Sequence, residues 1–360
     1  MIATDLISII IADHKLRLKE PKVQLHRSDK SIPNFEIVAI TGVRRCGKST
    51  LLRSIGHALL KQKKEVLYIG FEDPRLEDLT ADQLERFYTE WVLTHNKQGV
   101  ILLDEVQNIK NWESWLNYFV EHKKHRVIVT GSNAKMLSSE LATHLTGRHF
   151  EMHQTPLSFS ELVQNNHKNT DFTKLNSPKI RALAAVYKSY CQFGGFPKVI
   201  VESNIELLQE YYRDIILKDV VVRKNIRKPN EIIALARKLA TDNGTLFNHS
   251  KTAVMLGIKK PSTVAKYCNY ICDCYLYKQL KQFSWSVKKQ ERSLVKYYCV
   301  DTVMARMNGF NFSPDKGKEL ESQVLIELCK REGEVYYWTS KKGYGVDFIV
   351  LRPGSKFAMT

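Results

Sequence analysis

Residues 42–50 read Gly-Val-Arg-Arg-Cys-Gly-Lys-Ser-Thr, a full match to the pattern GxxxxGK[ST]. The stretch follows the apolar run Ile37-Val-Ala-Ile40 and opens into Leu51-Leu-Arg-Ser-Ile55. A strand, a glycine-permissive turn and a helix in that order make a phosphate cradle. Backbone N–H groups converge on the anion, and the helix turns its positive dipole end to the same charge. Gly42 and Gly47 supply backbone angles and a close approach that a Cβ would obstruct. Lys48 is expected to reach the β- and γ-phosphates and the Ser49 hydroxyl to ligate Mg²⁺. Val43, Arg44, Arg45, Cys46 and Thr50 complete the stretch expected to contact the nucleotide. The loop predicts a site for a nucleoside triphosphate.

Further on, Val66-Leu-Tyr-Ile69 reads as a second buried strand and Leu79 to Leu93 as a helix. A third apolar strand, Gly99-Val-Ile-Leu-Leu103, runs straight into Asp104-Glu105. Two acids at the end of a buried strand suit the second half of an ATP-hydrolysing site. Asp104 would hold Mg²⁺, and Glu105 would orient or deprotonate the attacking water. Trp112, Trp115, Leu116 and Phe119 form one face of a helix and read as core. A fourth strand, Arg126-Val-Ile-Val-Thr130, leads to Gly131-Ser-Asn133. Ser132 or Asn133 is placed to sense a γ-phosphate through the attacking water; capping a helix explains the same residues equally well. Arg148, at the end of Leu145-Thr-Gly-Arg, has the chemistry of an arginine finger, and a surface or salt-bridged arginine has the same sequence signal. The βαβα alternation predicts an α/β fold: a parallel sheet with helices on both faces and the ligand at the carboxyl ends of the strands.

Gly42-Val-Arg-Arg-Cys-Gly-Lys-Ser-Thr-Leu-Leu52, Leu102-Leu-Asp-Glu-Val-Gln107, Thr130-Gly-Ser-Asn133 and Leu145-Thr-Gly-Arg148 occur in that order. Together with Phe193-Gly-Gly-Phe-Pro197 and Tyr211-Tyr-Arg-Asp214, they resemble a prokaryotic AAA-type ATPase family related to the archaeal ATPases and the signalling STAND NTPases. The likeness runs through nearly the whole chain. It implies an AAA-like P-loop sheet that binds ATP with Mg²⁺, followed by helical, winged-helix and PD-(D/E)xK nuclease-like regions. The expected domains are an N-terminal helical arm at 1–34 and an ATPase domain at 35–165. A helical region at 166–230, a winged-helix-like domain at 231–300 and an incomplete nuclease-like domain at 301–360 complete the division.

The residues of the second half carry their own signals. Ile180 to Val222 is mainly helical, broken by Gly194-Gly195 and Pro197. His249 to Leu256, the turn Gly257-Ile-Lys-Lys260 and Pro261 to Leu276 follow a helix-turn-helix layout. Lys259, Lys260, Ser262, Thr263 and Lys266 gather at its turn, and two later runs, 276–283 and 294–300, read as wing strands. Such a unit either contacts DNA or packs on the ATPase core. In the tail, Glu321 and Asp347 are the acids that the nuclease-like resemblance would use to bind Mg²⁺. The acid-x-lysine element is missing: Lys356 has no acid two residues before it, and Gly345 stands where relatives often carry one. Truncation and degeneration both account for this, and nuclease activity is not expected.

Composition sets the outer bounds. The 360 residues, 43% hydrophobic, suit about two or three packed domains. Apolar runs are too short to span a bilayer and no signal-peptide pattern is present, so a cytoplasmic location without a membrane is expected. Seven scattered cysteines suit a reducing compartment, and Cys268, Cys272 and Cys274 read as packed thiols rather than a metal site. Fifty-five Lys and Arg against 38 Asp and Glu give a net charge of +17, favouring a polyanion partner. The leading reading is a Mg²⁺-dependent ATPase acting as a switch or motor, with nucleic acid on its basic C-terminal half. The alternative is a signalling scaffold that binds ATP, hydrolyses it slowly and acts through protein partners. A homo-oligomer fits either reading. An active nuclease and a small-molecule kinase are weaker options, the latter because paired acids favour water over a substrate hydroxyl.

Overall fold

The computed structural model describes residues 4–19, 25, 27, 32–77, 79–95, 99–123, 125–132, 149–167, 176–310, 315–331, 333–340 and 344–352. The chain divides into two compact units, Met1–Thr155 and Pro156–Thr360.

The first unit runs α1 (Thr4–Lys19), β1 (Ile37–Thr41), α2 (Lys48–Lys61), β2 (Glu65–Gly70), α3 (Ala81–His95), β3 (Gly99–Asp104), α4 (Trp112–Lys123), β4 (Arg126–Gly131) and β5 (His149–His153). Its five strands pair in the order β2-β3-β4-β1-β5, all parallel. Parallel strands need crossovers and are covered on both faces, so their sequences are apolar throughout rather than alternating. The pleat still sorts them. Ile37 and Ala39 face one core with Leu67, Ile69, Ile101, Leu103, Val127 and Val129; Val38 and Ile40 face the other with Val66, Val100, Leu102 and Ile128. α3 and α4 close the first face with Phe87, Trp91, Trp112 and Phe119, while α2 closes the second with Leu52 and Ile55.

α1 belongs to this unit's core. Ile7, Ile10, Ile11, His14 and Leu18 form its buried stripe, the spacing of one helical face. His14 joins α1 to the end of β2: the Gly70 N–H donates to His14 Nδ1 at 3.3 Å, and Nε2 lies 3.0 Å from Asp73 Oδ2. Burial lowers the His14 pKa, which keeps the ring neutral with its proton on Nε2.

The second unit opens with α5 (Phe159–Asn166), started by a capping box between Ser158 and Glu161. α6 (Ser177–Phe193) and α7 (Pro197–Glu202) follow, then α8 (Leu207–Asp214), which winds on as a π-helical stretch over Ile215–Val222. The Gly194-Gly195 turn between α6 and α7 has a packing reason. A Cβ on Gly195 would lie 2.1 Å from the Leu157 carbonyl oxygen. The Gly195 N–H donates to the buried Asp301 carboxylate at 2.6 Å.

Next come α9 (Pro229–Thr241), β6 (Leu246–Phe247), α10 (His249–Met255), α11 (Pro261–Asp273), β7 (Tyr277–Leu280), α12 (Val287–Arg292) and β8 (Val295–Cys299). The strands form an antiparallel sheet in the order β6-β8-β7. α13 (Thr302–Asn308), α14 (Lys316–Leu328) and the antiparallel hairpin of β9 (Glu334–Thr339) and β10 (Gly345–Leu351) complete the unit. Cys268 and Cys274 are buried, and burial pushes both thiols up to about 12, leaving them inert at neutral pH. No cluster of three or more metal-ligating side chains occurs among the described residues.

Candidate nucleotide-binding site

β4 lies between β1 and β3, so the loop after β1 and the acids after β3 flank the end of β4 at the same edge of the sheet. That edge is built on positions few residue types tolerate. Gly42 has φ of +144°, and a Cβ there would fall 1.9 Å from the Gln154 carbonyl oxygen. Gly47, at φ of +102°, sits immediately before the first turn of α2. Arg45 takes a left-handed φ of +66° without being glycine, a tight loop conformation that the surrounding contacts must hold. Cys46 Sγ donates to the Gln154 carbonyl at 3.2 Å, and the Arg27 guanidinium donates to the Cys46 carbonyl. Arg44 reaches Glu72 at 3.9 Å.

Lys48 is only 3% exposed. Its Nζ donates to the carbonyls of Gly42 at 2.9 Å and Val43 at 3.0 Å, and lies 3.8 Å from Glu105 Oε1. A buried ammonium is costly unless bonded, and these two carbonyls satisfy it while leaving it inside the loop. Asp104 is held by neutral groups: Thr130 Oγ1 donates to Oδ1 at 2.6 Å, Tyr68 Oη donates to Oδ2 at 3.1 Å, and the Ser49 hydroxyl bonds to the carboxylate. Burial, with the neighbouring Glu105 charge adding to it, raises the Asp104 pKa.

Glu105 occupies the left-handed region at φ of +57°, and its N–H donates to Thr130 Oγ1 at 2.8 Å. Its carboxylate accepts from Gln107 Nε2, which also lies 3.4 Å from Ser132 Oγ. The structure thus brings Lys48, Ser49, Asp104, Glu105 and Ser132 to one strand edge. Asn133 and Arg148 lie outside the described residues. Sequence reading missed Tyr68, Thr130, Gln107 and Gln154. Thr130 and Gln107 stood within the quoted motifs without a role, Tyr68 carried a weak signal as a polar atom in an otherwise apolar strand, and Gln154 carried none, because its partner Cys46 is distant in the chain.

In the second unit Glu321 and Asp347 also meet, but on a lysine. Lys296 Nζ lies 2.9 Å from Glu321 Oε1 and 4.0 Å from Asp347 Oδ1, and Tyr298 Oη donates to Glu321. Lys356 lies outside the described residues.

The AAA domain family matches residues 34–163, and a domain of unknown function (DUF8612) matches residues 185–312. An uncharacterized protein of Methanocaldococcus jannaschii, MJ1544, is 33% identical over 336 residues, covering 89% of this chain and 73% of that protein. The chain belongs to this AAA-domain family. An uncharacterized protein of Haemophilus influenzae is 29% identical over 322 residues, or 86% of this chain and 76% of the relative. Among solved structures, AMPPCP-bound DnaA from Aquifex aeolicus has 14% identity and a TM-score of 0.29, over 74% of this chain and 86% of that one. C. elegans PCH-2 has 13% identity and a TM-score of 0.33, over 57% and 61%. Family membership makes the first unit a P-loop domain of the AAA type, a class that binds nucleotide. No helix among the described residues is long and apolar enough to cross a membrane.

Proposed function

We propose that the protein is a Mg²⁺-dependent ATPase that works as a switch or motor on nucleic acid. The observation that carries the reading is the meeting of Lys48, Ser49, Asp104 and Glu105 at one strand edge where, among the described residues, the two acids have no direct charge pair except Lys48 to Glu105.

The residues fit a divalent cation. Asp104 is a buried carboxylate whose described hydrogen-bond partners are neutral hydroxyls, so its charge is satisfied geometrically but not electrically. Asp104 and the Ser49 hydroxyl would hold Mg²⁺, which when bound draws charge from the phosphate oxygens. Lys48 leaves the carbonyls of Gly42 and Val43 for the β- and γ-phosphates, and the loop N–H groups bind the same oxygens. Glu105, released from Lys48 as the lysine turns to phosphate, orients the attacking water and takes its proton. Arg148 and Asn133 are proposed to complete the charge stabilisation and the γ-phosphate contact.

For the second unit we propose a winged helix over 231–300, from the order helix, strand, helix, helix, strand, short helix, strand and the three-stranded sheet β6-β8-β7. Lys259, Lys260, Ser262 and Lys266 are exposed at the start of α11. Lys288, Lys289 and Arg292, with Trp285 66% exposed, lie on the segment between β7 and β8. Cations on a helix start and on the segment between β7 and β8, beside an exposed aromatic, suit a phosphate backbone. The tail is proposed to be an inactive nuclease-like domain, because Lys296 already pairs with Glu321 and lies 4.0 Å from Asp347, where a metal cation would sit.

Turnover measured with and without duplex DNA, with binding titrated against salt, tests the reading. Expected are DNA-stimulated ATPase activity and an affinity that falls linearly on a log–log salt plot. Absence of DNA binding at low salt would leave the ATPase and return its partner to a protein. In Glu105→Gln, nucleotide affinity should be kept while turnover falls by about 10²–10⁴-fold.

A further inference from the structure

We infer that Gln107 is a positioning residue for Glu105, and that its amide oxygen receives the attacking water. The inference rests on the ATPase reading above and concerns the same strand edge.

Gln107 lies in a single 3₁₀ turn, Val106–Asn108, directly after β3. The turn exists because Glu105 adopts a left-handed conformation that swings the chain back toward the end of β4. The Gln107 amide then has both a donor and an acceptor to place. Nε2 donates to the Glu105 carboxylate, with Ser132 Oγ as a second, longer partner at 3.4 Å. The amide therefore ties the end of β3 to the end of β4. Oε1 is buried and has no hydrogen-bond partner among the described residues. A buried amide oxygen without a donor costs about 1–3 kcal/mol, so a donor is expected when the site fills. Lys48, 3.8 Å from Glu105, is committed to two carbonyls and then to phosphate. The water that Glu105 activates carries two protons: one faces the general base, and the other faces an acceptor beside it. Gln107 Oε1 is such an acceptor, on the same amide that grips the base. No covalent step involves Gln107. It fixes the carboxylate and the water in line, and such alignment is worth up to about 100-fold in rate.

Gln107→Leu keeps the side-chain volume and removes both hydrogen-bonding atoms. It is expected to lower kcat by about 10- to 100-fold, with KM for ATP and affinity for AMPPCP unchanged. In the Glu105→Gln background the same substitution should add less than about twofold, measured by phosphate release in single turnover, because its effect runs through Glu105. Ser132→Ala, which removes only the longer anchor, should cost less than Gln107→Leu and add little to it; it serves as the independent probe if Gln107→Leu unfolds. An unchanged kcat, a parallel loss of AMPPCP affinity, or multiplicative losses in the double variant would each overturn the inference while sparing the ATPase reading. Normal turnover in Glu105→Gln would overturn the inference together with the general-base role of Glu105, whereas absence of turnover in the parent would overturn the ATPase reading.

Discussion

The two units each bring one lysine and two carboxylates together, and the outcomes are opposite. At the nucleotide site Lys48 spends its hydrogen bonds on backbone carbonyls and stands 3.8 Å from Glu105, while hydroxyl groups hold Asp104. In the tail Lys296, on β8, lies 2.9 Å from Glu321 and 4.0 Å from Asp347. The first arrangement leaves Asp104 on hydroxyl groups with no cation of its own among the described residues, open to a ligand of mixed charge. The second already holds a cation of its own on Glu321. Residue type is the same in both; what differs is whether the lysine's partners can be exchanged for phosphate.

The largest effect that tests this contrast is loss of Lys48. Lys48→Ala removes a buried ammonium expected to make charge-assisted bonds to two phosphates, each worth about 1.5–3 kcal/mol. Nucleotide affinity should fall by at least about 100-fold in a calorimetric titration. Retained affinity would mean that Lys48 stays on the Gly42 and Val43 carbonyls, and the contrast would collapse.

A second expected effect concerns the loop that holds Lys48. Gly42→Ala puts a methyl 1.9 Å from the Gln154 carbonyl at a φ of +144°, so it should cost about 3 kcal/mol or more of stability in chemical denaturation. A glycine that tolerates alanine here would show that the loop yields easily and that Lys48 is not held by a rigid frame.

How much of this was legible in the sequence follows from what kind of signal each residue emits. The phosphate loop and the Asp104-Glu105 strand end were readable because their geometry is local: strand, turn and helix lie within about 20 residues. The βαβα alternation gave the parallel sheet and the family resemblance its AAA type, and the strand order β2-β3-β4-β1-β5 bears this out. The groups that tune the acids were not readable. Tyr68 and Thr130 reach Asp104 from strands 36 and 26 residues away, and only the strand order puts them there. The same applies to Lys296, which shares its strand with an ordinary run of tyrosines and answers to acids 25 and 51 residues on. The sequence search for an acid-x-lysine near Asp347 looked along the chain, whereas the lysine arrives across space.

Exchanging Lys296 should make the tail behave more like the nucleotide site. Lys296→Met leaves Glu321 partly buried without its cation and should destabilise the chain by about 1–3 kcal/mol. With that lysine gone, Mg²⁺ is expected to raise the unfolding temperature of the variant more than that of the parent, with DNA left uncut in both. An equal Mg²⁺ response in the two would show that Lys296 does not stand in the cation's place.

The smallest expected effect reads the nucleotide site from its cost. Burial and the Glu105 charge raise the Asp104 pKa, so this group's contribution to stability is fully present below its unfolded pKa and is lost as pH rises through the folded value. Without ligand the ionised form of this carboxylate is therefore a burden on the fold. Asp104→Asn keeps an acceptor for Thr130 and removes the charge, so it should stabilise the free protein by about 1 kcal/mol at pH 7 and by less toward pH 4. With Mg²⁺ and nucleotide added the order should reverse, because only the parent gains the binding energy of the metal. In the tail Lys296 already pairs with Glu321, and Asp347→Asn, at an exposed position, should show neither the gain nor the reversal. If Asp104→Asn instead destabilises the free chain, the hydroxyl groups of Thr130, Tyr68 and Ser49 compensate the charge after all, and the site is self-satisfied like the tail.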